Sequence, residues 1–233
     1  MIVMKYYANG NLYQYLDRSN GILSWTNIID SLRGITEGLE RIHAEGKVHK
    51  NLHGGNLLVD KLFYIGTRIA DVGLYGSCYY HENKGSNQIY GVLPYVAPEV
   101  LRGERPTASS DIYSFGIIMN TFASGLRPWY YRAHDTNLAR DICNGERPEI
   151  PEDTPRFYAE LMKQCWDDDP AKRPSAASLN EKLGEWIVII CNPNPPDEYF
   201  VAERKMKMSS YTHPEIHPEA YYTSRLLCNI NFS

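Results

Sequence analysis

Apolar residues recur at spacings of three and four over residues 24–44, where Trp25, Ile28, Ile29, Leu32, Ile35, Leu39 and Ile42 form one stripe of a helix. Ser24 stands where an N-cap belongs and Gly46 lies just past the C-terminal end. The segment DIYSFGIIMNTF keeps the spacing through Ile112, Phe115, Met119 and Phe122, but its other faces are apolar as well. That pattern predicts a helix buried at the centre of its domain, ended by Gly125. Helices with a single apolar face are predicted over Asp135 to Asn144, closed by Gly145, and over Arg156 to Trp166, with Phe157, Leu161 and Cys165 in line. Another is predicted from Ala176 to about Ile189, with Leu179, Leu183 and Trp186 inward. Two shorter stretches read as strands. MIVMKYYANGNL predicts an apolar strand entering a polar turn at Asn9 and Gly10, and Leu57–Val59 with Ile69 and Ala70 predict a two-strand hairpin. After Cys191 a Pro-rich break, NPNPPDEYF, leads into a polar tail expected to lie outside the core, extended or partly helical. The fold class is α+β, mainly α, with one domain over residues 1–190 and a C-terminal tail over 191–233.

The 233 residues suffice for one good core plus a short tail. A formal charge of −4 and the lack of any basic run argue against a nucleic-acid partner. Five scattered cysteines, Cys78, Cys143, Cys165, Cys191 and Cys228, contain no C-x-x-C pair, so a reducing intracellular compartment is expected. The apolar opening Met1 to Met4 is too short for a signal peptide, and Trp186 to Cys191 is too short to span a bilayer. A cytoplasmic protein without a membrane partner is the expectation. His213 and His217 have a spacing that suits a metal, but Pro214 and Pro218 disfavour helix there, and a solvated tail is the reading adopted.

The chemistry concentrates in residues 49–73. Asn56 and Asp71 bracket the expected hairpin, so two oxygen-bearing side chains can face one Mg²⁺, a hard cation that favours oxygen ligands and nucleotide phosphates. His49, Lys50, Asn51, Leu52 and Asn56, then Asp71, Val72 and Gly73, then Ala97, Pro98 and Glu99, stand in the order and spacing of H-R-D-L-x-x-x-N, D-F-G and A-P-E. In these motifs the chain resembles the protein kinase family. GLRPW and the C-W-x-x-x-P-x-x-R-P form of CWDDDPAKRP resemble its tyrosine-kinase-like group, many of whose members phosphorylate Ser or Thr.

The resemblance covers the hinge and the large lobe, roughly residues 1–190, with the small lobe missing. It implies ATP and Mg²⁺ as cofactors, with Met4, Lys5, Tyr7, Leu58 and Asp71 at the nucleotide and Asn56 and Asp71 on the metal. Read without it, the opening stretch is equally an edge strand with no ligand. The implied helpers are structural. His49 packs inward to order the loop, Asp111 ties down the loop backbone, and Glu99 pairs with Arg173 in the interior. The polar stretch between Asp71 and Glu99, with Ser77, Tyr79, Tyr80, Ser86 and Tyr90, has the length of an activation segment carrying phosphosites, or is a plain solvated loop.

Several positions depart from the family pattern. Asn51 occupies the catalytic position of the Asp that accepts or orients the substrate hydroxyl's proton, and an amide cannot take that proton. Lys50 replaces an Arg that clasps phosphate bidentately, Val72 replaces a Phe, and Val92 replaces a Thr that bonds the catalytic Asp. No glycine-rich loop or strand Lys precedes the hinge. Either a longer parent extends upstream of Met1, or the protein works without binding ATP in the usual way. The implied function is a catalytically impaired, pseudokinase-like protein acting in signalling through protein partners. The alternatives are an ATP-dependent Ser/Thr kinase in a longer parent form and a truncated product with no function of its own.

Overall fold

Asn11 and Gln14 build the first helix between them. The Asn11 side chain accepts the Gln14 amide and the Gln14 side chain accepts the Asn11 amide, each at 3.0 Å, which caps both orphan donors at the start of α1 (Leu12–Arg18). The computed structural model describes residues 5–19, 23–61, 65–71, 89–192 and 214–227. Residues 1–4 of the expected opening strand lie outside these, and residues 5–7 have no regular structure. The polar turn expected at Asn9 and Gly10 is present, with Gly10 donating to the Tyr7 carbonyl at 2.9 Å, and the chain then enters α1, whose buried Leu12, Tyr13 and Leu16 were not read as helical. The signal for this seven-residue helix lies in its cap.

The longer periodic segments fold as predicted. Ser24 caps α2 (Trp25–Ala44), accepting the Asn27 amide at 3.1 Å, and the predicted stripe is buried from Trp25 to Leu39. The hairpin follows as β1 (Leu57–Lys61) and β2 (Ile65–Ile69), antiparallel with Leu57 opposite Ile69. A short β3 (Ile89–Gly91) leads to α3 (Pro98–Leu101) and to α4 (Ala108–Ser124). Helix α4 is buried on every face from Ser110 to Ala123 and ends at Gly125, whose φ of 69° suits the left-handed cap. Helices α5 (Thr136–Cys143), α6 (Arg156–Cys165) and α7 (Ala176–Ile190) each turn one apolar side to the core.

Helix α2 packs against α7 on one side and β2 on the other. The approach to β2 runs through two glycines one turn apart. A Cβ on Gly34 would stand 2.6 Å from the Thr67 carbonyl oxygen, and one on Gly38 would stand 3.0 Å from Ile69 Cδ1. Glu99 and Arg173 pair as expected from the resemblance, bidentate at 2.7 and 2.9 Å and both buried. Arg173 also donates to the carbonyls of Asp167 and Ser109, so all three guanidinium nitrogens donate and α3 is tied to the segment before α7.

The tail requires a correction. Residues 214–227 are not a solvated appendage. The strand β4 (Arg225–Leu227) pairs antiparallel with β3, with Gly91 opposite Arg225 and Ile89 opposite Leu227, and Tyr222 and Leu227 join the hydrophobic core. The reason lies in distant partners. A Tyr and a Leu in a polar stretch show no periodicity, and only the folded lobe supplies the surface that buries them. His217 lies in this docked segment, with its amide on the Tyr130 carbonyl at 2.8 Å, while His213 is outside the described residues.

Two outcomes are expected. Arg173→Leu should lower unfolding free energy by about 3–5 kcal/mol in urea denaturation because a buried carboxylate is left alone, and adding Glu99→Leu should recover part of the loss. Gly34→Ala should cost about 1–3 kcal/mol through overpacking. Gly184→Ala in α7, which meets nothing within 4 Å, should be neutral or stabilising.

Candidate functional site

The loop after α2 has no regular structure until the short turn at Gly54–Asn56, and a carboxylate from α4 shapes it. Asp111, 1% exposed, accepts the His49 amide at 2.8 Å, the Lys50 amide at 2.9 Å and the His43 Nε2 at 2.9 Å. These bonds satisfy a buried anion and two loop amides together. They hold Lys50 at a φ of 70°, in the left-handed region that a non-glycine residue seldom enters. His49 is buried and plays the inward role expected of it. Its Nε2 donates to the Ala70 carbonyl at 3.0 Å and its Nδ1 accepts the Asn51 amide at 3.3 Å.

The same loop meets the end of the hairpin. Asn56 donates from its side-chain amide to the Asn51 carbonyl at 3.0 Å, and its own carbonyl accepts the Ala70 amide at 2.8 Å. Asp71 follows directly, exposed, with a φ of 59°. Asn51, Asn56 and Asp71 thus line one cleft of about 650 Å³, together with Arg127, Tyr222 and Ser224. Asn56 Oδ1 and the Asp71 carboxylate are hard oxygen donors, the kind a Mg²⁺ ion takes when phosphate and water complete its shell. Among the described residues no group of three His, Cys, Asp or Glu side chains could hold a metal, so any ion here would draw most of its ligands from elsewhere. The cation lining the cleft, Arg127, is committed to Asp17 at 2.7 Å and lies over the rings of Tyr13 and Tyr222.

Of the residues expected at the nucleotide, Asp71 lines this cleft. Met4 and Val72 lie outside the described residues. Lys5 is exposed and pairs with Asp60, and Leu58 bridges to Asn11. The Val59 amide donates to the Gly10 carbonyl at 3.0 Å, so the opening stretch runs beside β1. Lys5, Tyr7 and Leu58 are not among the residues lining the cleft that holds Asn51, Asn56 and Asp71.

The side chain at Asn51 is engaged. Its Nδ2 donates to Ser224 Oγ at 2.8 Å, and the Ser224 hydroxyl lies 3.0 Å from Asn51 Oδ1. His53 completes the group. Its Nδ1 accepts the Gly55 amide at 3.1 Å, which leaves Nε2 to carry the proton and donate to Ser224 Oγ at 3.2 Å. Burial, with the nearby His49 second, holds the His53 imidazole down to about 4, so it is neutral at physiological pH. Reading the sequence missed His53, Arg127, Tyr222 and Ser224. His53 lies inside the motif but carries no role by residue type alone, and nothing near Ser224 in sequence points to Asn51.

The family profile described as protein tyrosine and serine/threonine kinase matches residues 1–183. The chain is similar to a probable serine/threonine-protein kinase of Dictyostelium discoideum, 30% identical over 78% of this chain and 11% of that protein. It is also similar to the serine/threonine/tyrosine-protein kinase HT1 of Arabidopsis thaliana, 28% identical over 76% of this chain and 45% of that protein. The megakaryocyte-associated tyrosine-protein kinase of Mus musculus is 30% identical over 78% of this chain and 35% of that protein. The chain therefore spans less than half the length of each of these relatives.

The depressed His53 gives a pH dependence of fixed sign. The imidazole is neutral in the fold and takes a proton near 6.5 when unfolded, so its contribution is complete above that value and is lost as the pH falls from about 6.5 towards 4. His134, also lowered by burial, acts in the same direction. Moving from pH 7.5 to pH 5 should remove about 2 kcal/mol through His53, read by urea denaturation, and His53→Gln should abolish that share of the slope. An unchanged slope in the variant refutes the assignment.

Proposed function

We propose that this chain, which belongs to the protein tyrosine and serine/threonine kinase family, is a catalytically impaired member that works in signalling by binding other proteins. Asn51 carries the reading. The loop around it is folded and fully tied down by Asp111, yet the side chain at the place of the proton acceptor is a carboxamide. An amide bonded as donor and acceptor to one hydroxyl can orient that hydroxyl but has no basic site for its proton. Loss of a positioned general base lowers a rate by about 10²–10⁴. A cytoplasmic location belongs to the same proposal, supported by the scattered cysteines. Among the described residues no helix is long and apolar enough to cross a membrane.

One observation favours a second reading, phosphoryl transfer from ATP to protein hydroxyls by a longer parent. Asn56 and Asp71 meet at one end of the hairpin with the donor chemistry of a Mg²⁺ nucleotide. Incubating a form extended upstream of Met1, beside residues 1–233, with radiolabelled Mg-ATP and an acceptor protein separates the two. Label transfer should run at least about 10²-fold below the roughly 1–100 s⁻¹ usual for kinases, whereas turnover within that range by the extended form would overturn the impaired reading.

A further inference from the structure

The group on Asn51 belongs to the tail of the same chain. Residues 217–227 lie along the lobe, through a turn at Pro218 and Glu219 to the strand β4, held first by the main chain. The His217 amide donates to the Tyr130 carbonyl at 2.8 Å, the His134 amide to the Glu219 carbonyl at 2.9 Å, and the Tyr221 amide to His134 Nδ1 at 3.1 Å. The pairing of β4 with β3 continues this, the way an added strand is taken up by a sheet edge. Tyr222 and Leu227 are buried, while Tyr221 and Leu226 are 42% and 43% exposed.

Tyr222 fills a specific pocket. Its ring meets Tyr13 edge-on at 5.6 Å and His134 at 4.9 Å, the Arg127 guanidinium stands over it at 5.5 Å, and its hydroxyl donates to the Pro128 carbonyl at 2.9 Å. Two residues on, the Ser224 hydroxyl reaches Asn51 and His53. Two buried side chains plus main-chain bonds make a docked ligand, one that can leave without opening the helical core.

We infer that residues 217–227 are an intramolecular occupant of a groove built for an extended peptide, in which an aromatic side chain anchors behind Pro128 and a hydroxyl two residues later rests on Asn51. The partner that fits is a protein segment of the same chemistry, an aromatic residue two positions before a Ser or Thr, which must displace the chain's own tail. This deepens the proposed function and rests on its placing of Asn51 where a substrate hydroxyl is received. Peptide binding needs no nucleotide and no transfer, so its failure is distinguishable from a failure of the impaired-kinase reading.

The test is fluorescence anisotropy with a labelled synthetic peptide of residues 214–227, titrated with the full chain and with its Tyr222→Ala variant. The variant should bind the peptide at least about tenfold more tightly than the unaltered chain, because its own anchor no longer competes. A peptide with Ala in place of its Tyr222 should fail to compete. Equal affinity in both proteins, or no binding by a variant that still melts cooperatively, overturns the inference. Should the variant not fold, hydrogen exchange on the unaltered chain decides. Slow exchange at the tail's His217 and Tyr221 amides that is lost on adding excess unlabelled peptide, while the His134 amide stays protected by the peptide's Glu219 carbonyl, supports displacement, and tail amides that exchange freely or ignore the peptide overturn it.

Discussion

The loop that carries Asn51 cannot hold itself. It lies between a helix and a hairpin with too few local hydrogen bonds to fix its path, and two of its amides point inward at His49 and Lys50. The Asp111 carboxylate accepts both, and it can do so because α4 is buried on every face and fixes that carboxylate at the centre of the lobe. An unpaired buried carboxylate or amide would cost about 1–3 kcal/mol or more, so helix and loop are each satisfied only with the other in place. The placing of Asn51, Asn56 and Asp71 around one cleft follows from that mutual dependence.

Much of the helical frame was legible because its signals are local. The stripe from Trp25 to Leu39, the all-apolar segment around Phe115, and the cap at Ser24 each sit within a few residues of what they specify. The hairpin was legible for the same reason, through Leu57 and Ile69. Helix α1 was missed because its evidence is a reciprocal cap at Asn11 and Gln14 over only seven residues, beside an apolar opening that favours a strand. The docking of residues 214–227 was missed for a different reason. Tyr222 is buried by Tyr13, His134 and the Pro128 carbonyl, surfaces that exist only once the lobe has folded.

The site divides along the same line. The spacing of Asn51, Asn56 and Asp71 pointed to one site, and all three line one cleft. Spacing could not announce how Asn51 is used, since its partners His53 and Ser224 are fixed by tertiary contacts. The neutral state of His53 is likewise a product of burial, invisible in a residue whose ordinary pKa sits near neutrality.

The bond between Asn51 and Ser224 joins positions 173 residues apart in the chain, whereas the helices and the hairpin close over short spans. Contacts of high sequence separation carry the larger loop-closure entropy and form late. In a folding polypeptide, and all the more in one emerging from its N-terminus during synthesis, the lobe is assembled before residues 217–227 arrive. The groove therefore has an interval of vacancy at birth, in which a ligand from another molecule meets no internal rival.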